Sequence, residues 1–240
     1  MTISIKEILG RRSDLSTFVV HLTRDSEVTA KAALMSIAAK GLLMAKRPMG
    51  WGAEQDDPAD IGRQSQRVVC FSETPLEYID TLVADIAGRN IRLAPWGLVI
   101  TKMTARSEGV NPVWYVDMTP GRDWQISKAL NELKAHAVAS GFHTHPAAQI
   151  LPFFEPMGTW PSTGGQREFW WEREWRKRGP FHFRPEQVVS WIVPEAEQAV
   201  FTTYVKAEWP WSPVRCIDAK WSLEAIIAHL TDQSPISPFD

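Results

Sequence analysis

Phe169-Trp170-Trp171-Glu172-Arg173-Glu174-Trp175-Arg176 interleaves two carboxylates and two guanidiniums with three indoles. Such residues are costly to bury unpaired and are rarely left wholly exposed. Read as a strand, the run puts Trp170, Glu172, Glu174 and Arg176 on one face and Trp171, Arg173 and Trp175 on the other. That face carries two adjacent acids. Read as a helix, Glu172 and Arg176 form an i,i+4 ion pair beside a Trp171/Trp175 stripe. The plain structural account is an ion-pair network locking a tryptophan-rich core. The functional account is a carboxylate pair at a strand edge.

Outward from this run, the composition is that of an ordinary globular chain: 240 residues, 44% hydrophobic and 22% charged, enough for one large domain or two small ones. A net charge of −2 gives no footprint for general polyanion binding, although Arg173, Arg176, Lys177 and Arg178 form a local basic cluster. Cys70 and Cys216 lie far apart, so a disulfide framework is not expected and a reducing, cytoplasmic compartment is. The opening MTISIKEILGRRSD has no signal-peptide core, and no stretch reaches the roughly 18 apolar residues of a membrane span. Five of the twelve tryptophans (Trp160, Trp170, Trp171, Trp175, Trp191) fall in one region, where they could fill a core or wall a flat ligand.

Strands are predicted at 17–23, 68–72, 96–102, 112–118, 181–183, 187–193 and 199–205. Helices are predicted from Asp25 or Ser26 to the stop at Gly41, from Pro75 through about 86, over 123–138 and over 223–230. Residues 48–66 and 146–165 read as loops. Strands outnumber helices without strict βαβ alternation, so the expected class is α+β, a mixed fold with peripheral helices. No composition shift marks a second domain: residues 1–240 read as one, with 119–165 as an inserted lid or subdomain.

Several candidate motifs have plain explanations. A lone His21 in the first strand is as readily a satisfied core histidine as a ligand contact. His136, His143 and His145, with Glu155 as a fourth donor, suggest zinc, but no Cys pair or HExxH helix completes the pattern, and no metal is expected. Gly164-Gly165 and Gly50-Trp51-Gly52 read as turns. Phe71-Ser72-Glu73-Thr74-Pro75 reads as a strand followed by a helix start capped by Ser72 or Thr74. Cys70 reads as core, with no local base or cation to activate it.

The order Val20-His21-Leu22-Thr23, Ala33 and Ile37, Lys40-Gly41-Leu42-Leu43, Val69-Cys70-Phe71-Ser72 and a late carboxylate resembles the ADP-ribosyltransferase superfamily, including the DarT-like toxins and the RNA 2′-phosphotransferases. The likeness runs over about residues 17–193. More narrowly, CFSETP, GLVITK, NPVWYV, LPFFEPMG and above all FWWEREWR resemble the abortive-infection AbiGi family of bacterial phage-resistance proteins, a likeness that suggests biological context rather than chemistry.

The superfamily resemblance implies a strand-rich split sheet and NAD as the substrate. Loss of nicotinamide leaves an oxocarbenium-like ribose, which a nearby carboxylate stabilises. The resemblance points to Glu174 for that role, with Glu172 as the first acid of a Glu-x-Glu pair that orients the nucleophile. His21 and Thr23 would meet the adenosine ribose, and Ser72 would support the nicotinamide wall. Tyr115, Trp114 or Tyr78 would stack on the pyridinium. The acceptor is an unidentified protein or nucleic acid. Two other readings stand beside this one: a non-catalytic antitoxin or regulatory partner of a cognate toxin, and an RNA-processing enzyme, which the mild charge disfavours.

Overall fold

The computed structural model describes residues 13–86, 89, 91–121, 124–159 and 165–231. The opening segment, Asp123, Trp160 and Gly164, all used in the sequence reading, lie outside them. In chain order the strands are β1 Phe18–Leu22, β2 Leu42–Leu43, β3 Arg47–Pro48, β4 Arg67–Ser72, β5 Gly97–Thr101, β6 Asn111–Pro112 and β7 Trp114–Asp117. They continue as β8 Phe154–Thr159, β9 Gln166–Arg167, β10 Glu174–Arg178, β11 Phe181–His182, β12 Val188–Ile192 and β13 Cys216–Ile217. With helices of up to 15 residues between them, the class is α+β. No helix among the described residues is long and apolar enough to cross a membrane.

The chain divides into two compact units, one comprising Met1–Leu42, Ser72–Ala105 and His182–Asp240, the other Leu43–Phe71 and Arg106–Phe181. In the first unit the strand order is β13-β12-β5-β1. β1 and β12 flank β5 antiparallel, and β13 runs parallel to β12. Four consecutive residues of β5, Gly97 to Ile100, are buried, as expected of a central strand covered on both faces. Gly97 is required there because a Cβ would collide with the His21 carbonyl on the neighbouring strand.

The helix Ala30–Lys40 begins at Thr29, whose hydroxyl accepts from the Ala32 N–H, while Asp25 accepts from the Ala30 N–H at 2.8 Å. It ends at Gly41 in the left-handed region, φ +58°. A Cβ on Gly41 would also strike the Phe183 carbonyl. Gly41→Ala should therefore cost at least about 1–2 kcal/mol, read as a lowered melting temperature.

Segment 199–205, expected as a strand, is instead part of the helix Gln198–Glu208. Its buried residues, Phe201 and Val205, stand four apart, and packing of that stripe overrides the β preference of Phe, Thr, Tyr and Val. The helix expected from 76 to 86 is shorter: a 3-10 turn Leu76–Tyr78 followed by Ile79–Val83, entered through Pro75 without a side-chain cap.

The second unit holds β7 parallel to β8 and β9 antiparallel to β8, together with the pairs β3–β4 and β10–β6. Its core gathers Trp51, Val116, Leu130, Phe142 and Leu151 beneath the helix Gln125–Ala139. The Trp51 indole N–H finds Asn131 Oδ1 at 2.9 Å, so the ring is buried without a stranded donor. β8 lies where the sequence suggested loop.

Candidate active site

The octapeptide is neither wholly strand nor helix. Trp170–Glu172 forms a 3-10 turn, Arg173 adopts φ +46°, and β10 starts at Glu174. Arg173 is the one non-glycine with positive φ among the described residues. The expectation that Glu172 and Glu174 share a strand face is thereby corrected: the left-handed residue between them ends the alternation. Glu172, half-buried, remains near enough for its charge to act on Tyr115.

From Glu174 onward the strand reading holds. Glu174 and Arg176, two residues apart, point to the same side and are 8% and 0% exposed. Arg176 Nε donates to Glu174 Oε1 at 3.0 Å and Nη2 to Oε2 at 2.7 Å, a bidentate pair. The same Nη2 donates to Glu155 Oε2 at 2.7 Å, and Nη1 donates to the Pro152 carbonyl at 2.7 Å. Burial alone would weaken the guanidinium's hold on its proton, but the carboxylates of Glu174 and Glu155 outweigh it and raise the Arg176 pKa.

Two further groups report the same field. The Tyr115 hydroxyl accepts from the Glu174 N–H at 3.3 Å; burial, then the Glu174 charge, raises the phenol's pKa. The Cys70 thiol donates to the Glu174 carboxylate, and burial and that carboxylate hold its pKa well above the ordinary thiol value. Both groups stay protonated at neutral pH. Tyr115 and Glu155 are register partners across β7 and β8, so their side chains leave the sheet on one side.

Trp114 is 61% exposed, edge-on to Phe154 with centroids 5.5 Å apart. It and Tyr115 line an open hollow of about 630 Å³ with Trp124, Ile126, Met157 and Asp117. Two of the three aromatic candidates therefore share one hollow. The third, Tyr78, belongs to the other unit and is 47% exposed.

His21, Thr23 and Ser72 also belong to that other unit. His21 is half-buried on β1 opposite Leu98, and Ser72 is half-buried opposite Val20. Thr23 does not offer its hydroxyl to a ligand: the side chain is buried, and its O–H lies 3.0 Å from both the Ala30 and Trp96 carbonyls. Its place in the ribose contact is withdrawn on that ground. Glu73 is paired with Lys102 at 2.8 Å, and burial pushes the Cys216 thiol up to about 11.

The three histidines considered for zinc are divided. His136 and His145 stack edge-on at 5.3 Å, while His143 Nδ1 is bonded to Ser65 at 2.9 Å and Glu155 is held by Arg176. Among the described residues no group of three or more His, Cys, Asp or Glu could hold a metal ion. Sequence reasoning misses the role of Glu155, because Pro156 and Gly158 in its own strand carry the signature of a loop. Cys70, which reads as core in the sequence, is hydrogen-bonded to that acid cluster through Glu174.

No protein-family model matches the chain, and no curated protein matches it. Among solved structures the chain is similar to the DarT of Thermus sp. 2.9 in complex with carba-NAD+, at 13% identity and TM-score 0.40, over 86% of this chain and 97% of that one. It is also similar to the same DarT in complex with ADP-ribosylated ssDNA, at 13% identity and TM-score 0.37, over 85% and 94%.

Proposed function

We propose that this chain is an ADP-ribosyltransferase-type enzyme that takes NAD as donor, with Glu174 as the carboxylate facing the ribose, in a bacterial antiphage, abortive-infection setting. The observation that carries the reading is the fixed Glu174 carboxylate. Both its oxygens are held by one guanidinium at the first residue of a strand, so it is pre-oriented. A group already in place stabilises a developing cation without reorganising. The order of His21, Gly41-Leu42, Ser72, Tyr115 and Glu174 along the chain supports the same reading. The hollow at Trp114 and Tyr115 supplies aromatic faces for the pyridinium. The acceptor is a protein or a nucleic acid.

The test is nicotinamide release and label transfer from labelled NAD in cell lysate. Glu174→Gln keeps a side chain that can still accept from Arg176 and should lower turnover about 100-fold, the scale of losing one electrostatic contact to a transition state. Wild-type protein that neither releases nicotinamide nor transfers label would overturn the reading.

A second reading is favoured by one observation: Glu174 is buried against a fully buried arginine. A carboxylate consumed in structural pairing suits a non-catalytic antitoxin or regulatory partner of a toxin. Under it, a Glu172→Ala/Glu174→Ala variant would still protect cells, and the protein would co-purify with its neighbouring gene product.

A further inference from the structure

We infer that Glu155 is the second acid of the Glu174 site, a positioning residue that shares Arg176 and leaves the cluster one negative charge in excess. The inference rests on the reading of Glu174 given above. One guanidinium neutralises one carboxylate. Here a single nitrogen, Arg176 Nη2, lies 2.7 Å from an oxygen of Glu174 and 2.7 Å from an oxygen of Glu155. The two oxygens are therefore no further apart than twice that length.

A structural ion pair needs one acid. A second carboxylate in the same buried place repels the first and is costly to desolvate, so it is a poor device for stability. Glu155 is also the less enclosed of the two, its side chain 18% exposed against 10% for Glu174. The charges that weigh most on the Cys70 thiol are Glu174, Arg176 and Glu155, so both acids act on one spot. Tyr115 ties this spot to the open hollow: it lines the hollow, is the register partner of Glu155 and accepts from the Glu174 N–H. An excess negative charge beside that hollow suits a ligand that is cationic or becomes so, as the ribose of NAD does when nicotinamide departs. Arg176 then serves to hold two acids at a set spacing rather than to cancel one. Glu172, displaced from the strand by Arg173, is not the partner acid.

The experiment compares Glu155→Gln, Glu155→Asp and Glu174→Gln in the full chain by three readouts: NAD turnover, thermal midpoint, and the rate at which iodoacetamide labels Cys70, followed by mass spectrometry. For Glu155→Gln the expected results are a midpoint within a few degrees of wild type, a kcat for nicotinamide release lowered about 10-fold or more, and a KM within about twofold. Glu155→Asp should recover part of kcat. Cys70 should be labelled faster at a given pH in both glutamine variants, because a negative charge that keeps the thiol protonated is gone. Unchanged Cys70 labelling in Glu155→Gln, or wild-type kcat, would overturn the inference. A wild-type chain inactive on NAD, with Cys70 still responding to Glu155→Gln, would instead overturn the NAD reading and with it the catalytic use of Glu155, leaving only the shared charge.

Discussion

Arg176→Met should cost the protein about 3–5 kcal/mol, the range measured when one partner of a buried ion pair is removed. Methionine keeps the apolar stem of arginine but ends short of the guanidinium and leaves Glu174, Glu155 and the Pro152 carbonyl without the four hydrogen bonds that Arg176 donates to them. Two carboxylates would then face each other in a dry place with no cation between them. In a chain of this length the loss corresponds to a fall in melting temperature of about 10 °C or more. The defect has a signature that loss of packing would lack. Adding Glu155→Gln and Glu174→Gln to Arg176→Met should restore part of the stability, because neutral amides need no cation between them. A methionine variant as stable as wild type would show that the pair contributes nothing to holding the second unit.

The octapeptide shows how far its own residues can be read. Period-two alternation correctly puts Glu174 and Arg176 on one face, and the residue types alone announce an ion-pair network. The turn before it is illegible for a local reason: a left-handed Arg173 is rare enough that no pattern of polar and apolar residues announces it. Glu155 is hidden differently. Its strand lies beside β7 in a parallel pair whose partners are about 40 residues apart, and Pro156 and Gly158 carry the signature of a loop. A long-range pairing supplies what local propensity denies.

The elements that were legible are those whose local chemistry agrees with their packing. Asp25 and Gly41 mark the ends of the helix Ala30–Lys40 in the sequence as they do in space, although the cap proper is Thr29 rather than Asp25 or Ser26. The helix Gln198–Glu208 is the opposite case. Thr202, Thr203, Tyr204 and Val205 favour a strand. The Thr203 hydroxyl, however, donates back to the Ala199 carbonyl at 2.9 Å, and Phe201 and Val205 find a buried stripe. Burial of two large side chains outweighs a few tenths of a kcal/mol per residue of propensity.

That stripe leads to the other large effect. Trp191→Ala should destabilise the chain by about 3–5 kcal/mol, the usual loss when a buried tryptophan is truncated. Trp191 is 2% exposed on β12, opposite Leu98 of β5 and Cys216 of β13. Its ring lies 5.4 Å from Phe201 and 6.2 Å from Phe183, so truncation opens a cavity bounded by two aromatic rings and a strand on either side. Neither strand can collapse into the space without breaking its ladder, which keeps the cavity open and the loss near the upper end of the range. Trp191→Phe leaves most of the ring contact and should lose about 1–2 kcal/mol. In urea the alanine variant should unfold at a lower midpoint with an unchanged slope, since the surface exposed on unfolding is nearly the same. Equal losses for phenylalanine and alanine would mean that a phenyl ring in this place recovers nothing, and that the contribution lies in the outer part of the indole that phenylalanine lacks.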